Sequence, residues 1–232
     1  TYEYMYFKEI AKMSQRYYDK IKKQNIIYQL KAMYIKKYIR NHPVFKRENM
    51  EISLTPMEFA RRAKRLYSES EAVVDGELRL TYGQFFERCD RWSKALQGMG
   101  VKKGDRVAYI APNTHSHLEA YYAVPQIGAV LVPINYRLKS EEFEYILNHC
   151  GAKVLCVHPD FYDAIDGIRD QIKTVEAFIG LEDALPNWID YEAQIHQHEA
   201  SFAPVEIDEL DLITINYTSG TTARPKGVMI TH

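Results

Sequence analysis

Residues 104–134 read GDRVAYIAPNTHSHLEAYYAVPQIGAVLVPI, and this stretch decides the fold. Two short apolar runs, Arg106 to Ile110 and Ala129 to Ile134, flank a helical pattern over residues 114–125. Neither run alternates polar with apolar residues, as a strand with one wet face does. Continuous apolar strands are buried on both faces, and such strands separated by helices belong to a parallel sheet. The rhythm continues through Lys153 to Val157 and Val175 to Ile179, with helical patterns over 141–149 and 161–172. Gly151 sits where a left-handed residue would close the helix before it. The predicted fold class is therefore α/β, a doubly wound, mostly parallel sheet.

Working toward the N-terminus, Thr81 and Gln84 have the spacing of a capping box, opening a helix that ends at Gly98 or Gly100. Ala72 to Val74 and Leu78 to Leu80 read as a hairpin, with Asp75-Gly76 expected to supply the positive φ angles of its turn. Thr55-Pro56-Met57-Glu58 reads as a second capping box, with a helix through about Tyr67. In the other direction, residues 181–209 lose the rhythm and read as a surface excursion.

The chain has 232 residues, 46% hydrophobic and 26% charged, which is enough for a sizeable core and excludes wholesale disorder. Its net charge of -1 conceals an asymmetry: residues 1–49 hold 12 Lys and Arg against 4 Asp and Glu, and the remainder holds 18 against 27. The first segment also lacks glycine and carries 8 of the 18 tyrosines. Two compositions meet near Met50, so the chain divides into a basic, Tyr- and Lys-rich segment, 1–49, and an organised part, 50–232. Apolar residues from Ile10 to Ile39 recur at helical spacing until Asn41-His42-Pro43, which predicts a basic helix. An accessory helix is the plain reading, and an anchor to an anionic membrane surface is the sharper one. No base-reading motif appears, so no nucleic-acid partner is expected. No apolar run approaches the roughly 20 residues of a membrane span, and no signal-peptide core is present. Cys89, Cys150 and Cys156 have no CxxC spacing, which suggests a reducing, cytoplasmic setting.

The chemistry is concentrated in residues 213–228, ITINYTSGTTARPKGV. An apolar strand runs into Thr218, Ser219, Gly220, Thr221 and Thr222, then into Lys226 between proline and glycine. Small and hydroxyl residues around a glycine let backbone amides converge into a nest for an anion. The stretch is not the G-x-x-x-x-G-K-[ST] phosphate loop. The β-branched residues Val228 and Ile230 predict a strand after the loop, so the loop joins two strands.

Residues 217–228 resemble the signature phosphate loop of the AMP-forming adenylating enzymes. Leu80 to Phe85, Gly100 to Val107, Ala111-Pro112-Asn113 and Ile127 to Asn135 also resemble that superfamily, in its order. Residues 111–115, Leu118-Glu119-Ala120 and Asn135 to Leu138 are most similar to its acyl-CoA synthetase branch. The resemblance covers about Leu54 to His232 and implies the N-terminal part of the large domain of an adenylate-forming enzyme. It implies an ATP-dependent ligase that joins a carboxylic acid, preferably a fatty acid, to AMP and passes the acyl group to CoA. An amino- or aryl-acid activator is the alternative within the superfamily, and a non-catalytic nucleotide-binding or interaction module is the alternative outside it. Carried over by residue, Thr218, Ser219, Gly220, Thr221, Thr222 and Lys226 would cradle the β- and γ-phosphates of ATP. Mg²⁺ would share that charge, with no ligand nameable here. Ala223 departs from the glycine common at its position. The family's adenine pocket, ribose-binding aspartate, hinge and C-terminal catalytic lysine come later than His232, so this stretch alone is expected to be inactive and contains no catalytic residue.

Three other features attract a functional reading and lose it. His115-x-His117 and His196-x-His198 have a metal-like spacing but no completing ligands, and solvated or capping histidines are expected. Cys150 and Cys156 read as core thiols, and Tyr121-Tyr122 as helix packing.

Overall fold

The structure, a computed structural model, describes residues 54–218 and 224–232. The basic segment 1–49 and its expected helix lie outside the described residues.

Helix α1 (Pro56–Leu66) follows Thr55, which is extended, with Pro56 at the first helical position. The expected capping box does not form. The Thr55 side chain makes no cap bond. The Glu58 carboxylate turns to Arg61 instead. Strands β1 (Glu71–Asp75) and β2 (Leu78–Thr81) pair antiparallel with Asp75 opposite Leu78. The turn is therefore Gly76-Glu77, and Gly76 alone has a positive φ, +54°. Asp75 stays in the strand because its carboxylate is engaged elsewhere, by His115. Helix α2 (Tyr82–Gly98) does open on the Thr81–Gln84 capping box.

From there the chain alternates. It forms β3 (Arg106–Ile110), α3 (His115–Ala123), β4 (Val130–Ile134), α4 (Ser140–Cys150), β5 (Ala152–Val157), α5 (Tyr162–Asp166) and β6 (Ala177–Gly180). Then follow β7 (Ile189–Asp190), α6 (Tyr191–Gln197), β8 (Leu212–Thr218) and β9 (Lys226–Thr231). The last seven strands form one sheet in the order β7-β6-β5-β3-β4-β8-β9. All neighbours are parallel except β8 and β9. The α/β, mostly parallel architecture is the one the apolar runs predict. Gly151 closes α4 at φ +64°.

Side-chain alternation along the strands divides the core in two. Val107, Tyr109, Leu131, Val154, Cys156 and Ile179 pack with α2, α3 and α6. Ala108, Ile110, Val132, Ile134, Leu155 and Val157 pack with α4 and α5. Trp92 of α2 is wholly buried on the first face, where its indole N–H donates to the Tyr109 hydroxyl at 2.8 Å. Truncating a buried aromatic of this kind costs about 3–5 kcal/mol. At β4, Pro133 has no amide to give a neighbour. The ladder from β4 to β8 registers only at Leu131 and Thr214.

Two further expectations fail. The helix over 161–172 is interrupted: five-residue α5 lies between 3₁₀ turns at Pro159–Phe161 and Arg169–Gln171. Residues 181–209 are no surface excursion, since they supply β7 and α6 and bury Leu181, Trp188, Tyr191 and Ile195. A seven-residue helix is too short to show a period, so its apolar residues looked isolated.

The connection leaving β3 crosses the α3 face, while those leaving β4 and β5 cross the α4–α5 face. Connections that diverge from adjacent strands open a crevice at the carboxyl edge of a parallel sheet. Strand β8 runs parallel to β4, so Thr218 ends at that same edge.

Candidate functional site

Strands β8 and β9 form a hairpin whose register sets Tyr217 opposite Gly227 and Thr218 opposite Lys226. Thr218 and Lys226 thus face each other across its mouth, and both are exposed. The loop does join two strands. Ser219, Gly220, Thr221 and Thr222 lie outside the described residues. Of the six residues expected to hold phosphate, the structure therefore brings together two. Among the described residues, Lys226 makes no ion pair, which leaves a free ammonium at the mouth of a loop rich in small residues. That is the charge a polyphosphate needs.

Close packing holds the hairpin's root. A Cβ on Gly227 would come within 2.9 Å of Ile215 Cγ2 and 3.2 Å of Tyr217 Cζ. Only glycine lets the Tyr217 ring lie across β9 there. The Tyr217 hydroxyl reaches His149 Nδ1 at 2.6 Å. Burial, with Cys150 and Tyr145 nearby, pushes the Tyr217 phenol up to about 12, so it stays protonated. On the exit arm, the Arg224 guanidinium lies 5.3 Å from the centre of the Tyr145 ring. Beside these groups runs a groove of about 700 Å³ between α4 and the exit arm, lined in part by Glu141, Glu144 and Pro225. None of Tyr145, His149 and Arg224 was singled out from the sequence. The spacing of Tyr145 and His149 on one helix face was visible, but the partner 68 residues away in sequence was not.

A second group of charged residues lies beneath α3. Glu119 is 0% exposed, and its carboxylate receives Arg88 Nε at 2.6 Å and the Tyr191 hydroxyl at 2.5 Å. Arg88 also donates to Glu192 on α6 at 3.0 Å. His115 Nδ1 lies 2.8 Å from Asp75 and its Nε2 3.5 Å from Glu192. Burial pushes the Glu119 carboxyl up and Arg88 opposes it. Burial also opposes ionisation of Glu192, yet His115 and Arg88 draw that carboxyl down to about 2. The expectation of a solvated or capping His115 is corrected here: it bridges two carboxylates, and Glu192 raises its pKa above the ordinary value.

His117 stacks between Tyr109 and Tyr121, with ring centres 5.6 Å away on each side. His115 and His117 share α3, while His196 is the exposed penultimate residue of α6 and His198 caps it. Residues two apart on a helix do not face one another, which removes the metal reading. Among the described residues no group of three or more metal-ligating side chains exists. Cys89 and Cys156 are buried and Cys150 is half-buried, and all three are free. Tyr122 meets Phe85 and Phe86 edge-on, as helix packing.

Several known proteins are similar to this chain. The AMP-binding enzyme family profile matches residues 59–232. A long-chain-fatty-acid–CoA ligase of Thermus thermophilus is 39% identical over 188 residues, covering 79% of this chain and 34% of the relative. A peroxisomal benzoate–CoA ligase of Arabidopsis thaliana is 35% identical over 202 residues, covering 80% and 35%. Among solved structures, an anthranilate CoA ligase with bound anthranoyl-AMP superposes with a TM-score of 0.75 at 26% identity, covering 79% of this chain and 36% of that one. The chain thus spans about a third of the length of these relatives.

Proposed function

The chain belongs to the AMP-binding enzyme family, and from that premise we propose that it supplies the polyphosphate cradle of an ATP-dependent acyl-CoA ligase acting on a fatty acid. In that reaction a carboxylate oxygen attacks the α-phosphorus of ATP and pyrophosphate departs with the broken phosphoanhydride bond. The thiol of CoA then displaces AMP from the acyl carbon. The observation that carries this reading is the hairpin mouth, where Lys226 stands opposite Thr218 and makes no ion pair among the described residues. The Lys226 ammonium neutralises charge on the departing pyrophosphate, and the Thr218 hydroxyl donates a hydrogen bond to a phosphate oxygen. Ser219, Gly220, Thr221 and Thr222 complete the cradle through hydroxyls and amides. Mg²⁺ would share the charge of the polyphosphate, although the described residues gather no ligand set for it.

The similarity to benzoate and anthranilate ligases supports an aryl acid as the second reading of the substrate. The free thiols accord with a reducing compartment and support a cytoplasmic protein, although some plant relatives carry a peroxisomal name. Among the described residues no helix is long and apolar enough to cross a membrane.

Two measurements test the proposal. Lys226→Ala in the full chain should weaken inorganic pyrophosphate binding by about ten- to a hundredfold, the worth of one charge-assisted bond. Pyrophosphate exchange by the full-length enzyme should proceed with fatty acids; exchange with aryl acids alone selects the second reading, and exchange with amino acids alone refutes both.

A further inference from the structure

Tyr145 and His149 lie one turn apart on α4 and therefore project from the same face of the helix. Their rings stack, with centres 5.2 Å apart. Between them they touch both arms of the β8–β9 hairpin. His149 Nδ1 holds the hydroxyl of Tyr217, the residue immediately before Thr218. The Tyr145 ring carries the Arg224 guanidinium, two residues before Lys226. One helical turn thus grips the chain where it enters residues 218–226 and again where it leaves.

The grip has a consequence for binding. One anion can meet both Thr218 and Lys226 only while the two strand ends face each other, and any freedom those ends must lose on binding subtracts from affinity. Fixing the two ends beforehand leaves less to order at the moment of binding. We propose that Tyr145 and His149 are positioning residues for this loop: they brace both arms of the hairpin and hold Thr218 and Lys226 in facing register for a polyphosphate. The inference rests on the reading of residues 218–226 as a phosphate cradle. Neither side chain touches the phosphate; each acts through a loop arm.

The arrangement predicts a pattern that bare hairpin stabilisation does not. Tyr217→Phe deletes one hydroxyl and keeps the ring over Gly227, so the hairpin survives while the bond to His149 is lost. His149→Ala deletes the same bond from the other side. Tyr145→Ala removes the platform for Arg224, and Tyr145→Phe restores it, because the π-face is what the guanidinium uses.

The test is calorimetric titration of the full chain with inorganic pyrophosphate and with ATP, beside the urea midpoint of each variant. Tyr217→Phe and His149→Ala should each weaken pyrophosphate by about three- to tenfold, the worth of one net hydrogen bond. Their double variant should bind no more weakly than either single one. Tyr145→Ala should weaken binding by about threefold and Tyr145→Phe should bind as the parent does. Within this set, affinity should fall without following the order of the urea midpoints. Singles whose effects multiply in the double variant overturn the proposal, as does pyrophosphate affinity that is unchanged in Tyr217→Phe and His149→Ala. If the parent binds and the variants bind alike, the brace alone fails. If the parent binds neither pyrophosphate nor ATP, the cradle reading fails and takes the brace with it.

Discussion

Replacing Arg88 with methionine should destabilise the fold by about 3 kcal/mol, and the structure supplies the terms of that figure. Glu119 is 0% exposed and its carboxylate takes Arg88 Nε at 2.6 Å. Removing one partner of a buried pair typically costs about 3–5 kcal/mol, because the other charge stays behind. Glu192 also loses Arg88, but its side chain is 37% exposed and recovers water, so that loss adds little. The Tyr191 hydroxyl still donates to Glu119 and offsets about 1 kcal/mol, which favours the lower end of the range. An independent bound comes from linkage. Without Arg88, burial of the Glu119 carboxyl is opposed only by the Tyr191 hydrogen bond and the His115 charge, so the carboxyl is pushed further up. From an unfolded-state value near 4.3, a carboxyl kept neutral up to pH 7 forfeits at most about 3.7 kcal/mol. The two routes agree. The sign also follows: the folded variant binds a proton that the unfolded chain releases, so its deficit shrinks as pH falls toward the unfolded-state value. The assay is urea unfolding followed by tryptophan fluorescence near pH 7 and near pH 5. A second substitution, Glu119→Gln, should recover about 2 kcal/mol in the Arg88→Met background, since a neutral amide can be buried opposite Tyr191. A loss under about 1 kcal/mol at pH 7, or no recovery in the double variant, would refute the reasoning.

Three further outcomes are expected. His115 has a raised pKa in the fold, set first by Glu192; its stabilisation is complete below the ordinary value near 6.5 and fades as pH rises through the folded value. The urea midpoint should therefore slope downward across that window, and His115→Gln should flatten the slope. Gly227→Ala forces Ile215 and Tyr217 apart and should cost about 1–3 kcal/mol by urea unfolding. Burial pushes the Cys150 thiol up to about 11 and raises those of Cys89 and Cys156, which are also 0% exposed, so a thiol reagent near pH 7 should label Cys150 first and the other two only at the rate of unfolding.

The parallel sheet was legible because β3, β4 and β5 are buried on both faces and leave unbroken apolar runs. The loop between β8 and β9 was legible because its composition is unusual for a strand junction. What failed was local and short. Asp75-Gly76 looked like the turn, but a carboxylate needed 40 residues away by His115 keeps Asp75 in the strand. Thr55 and Glu58 have capping spacing, yet Arg61 competes for the carboxylate. The charged group under α3 was not readable at all. Arg88 meets Glu119 across 31 residues and Glu192 across 104, distances at which spacing carries no signal. The same limit hid the hold of α4 on the hairpin.

The insertion of β8 beside β4 has a bearing on how the chain is made. β4, its parallel neighbour β3 and β5 on the far side of β3 are complete by Val157, while β8 ends at Thr218. At roughly 5–20 residues per second, a ribosome leaves that flank of β4 unpaired for about 4–17 s after Ile134 is joined. An apolar strand with a bare flank invites pairing with another nascent chain. Pro133 lies in that strand, and its missing amide breaks the row of donors such an intruder would need. A proline within an apolar strand thus also protects the unfinished protein.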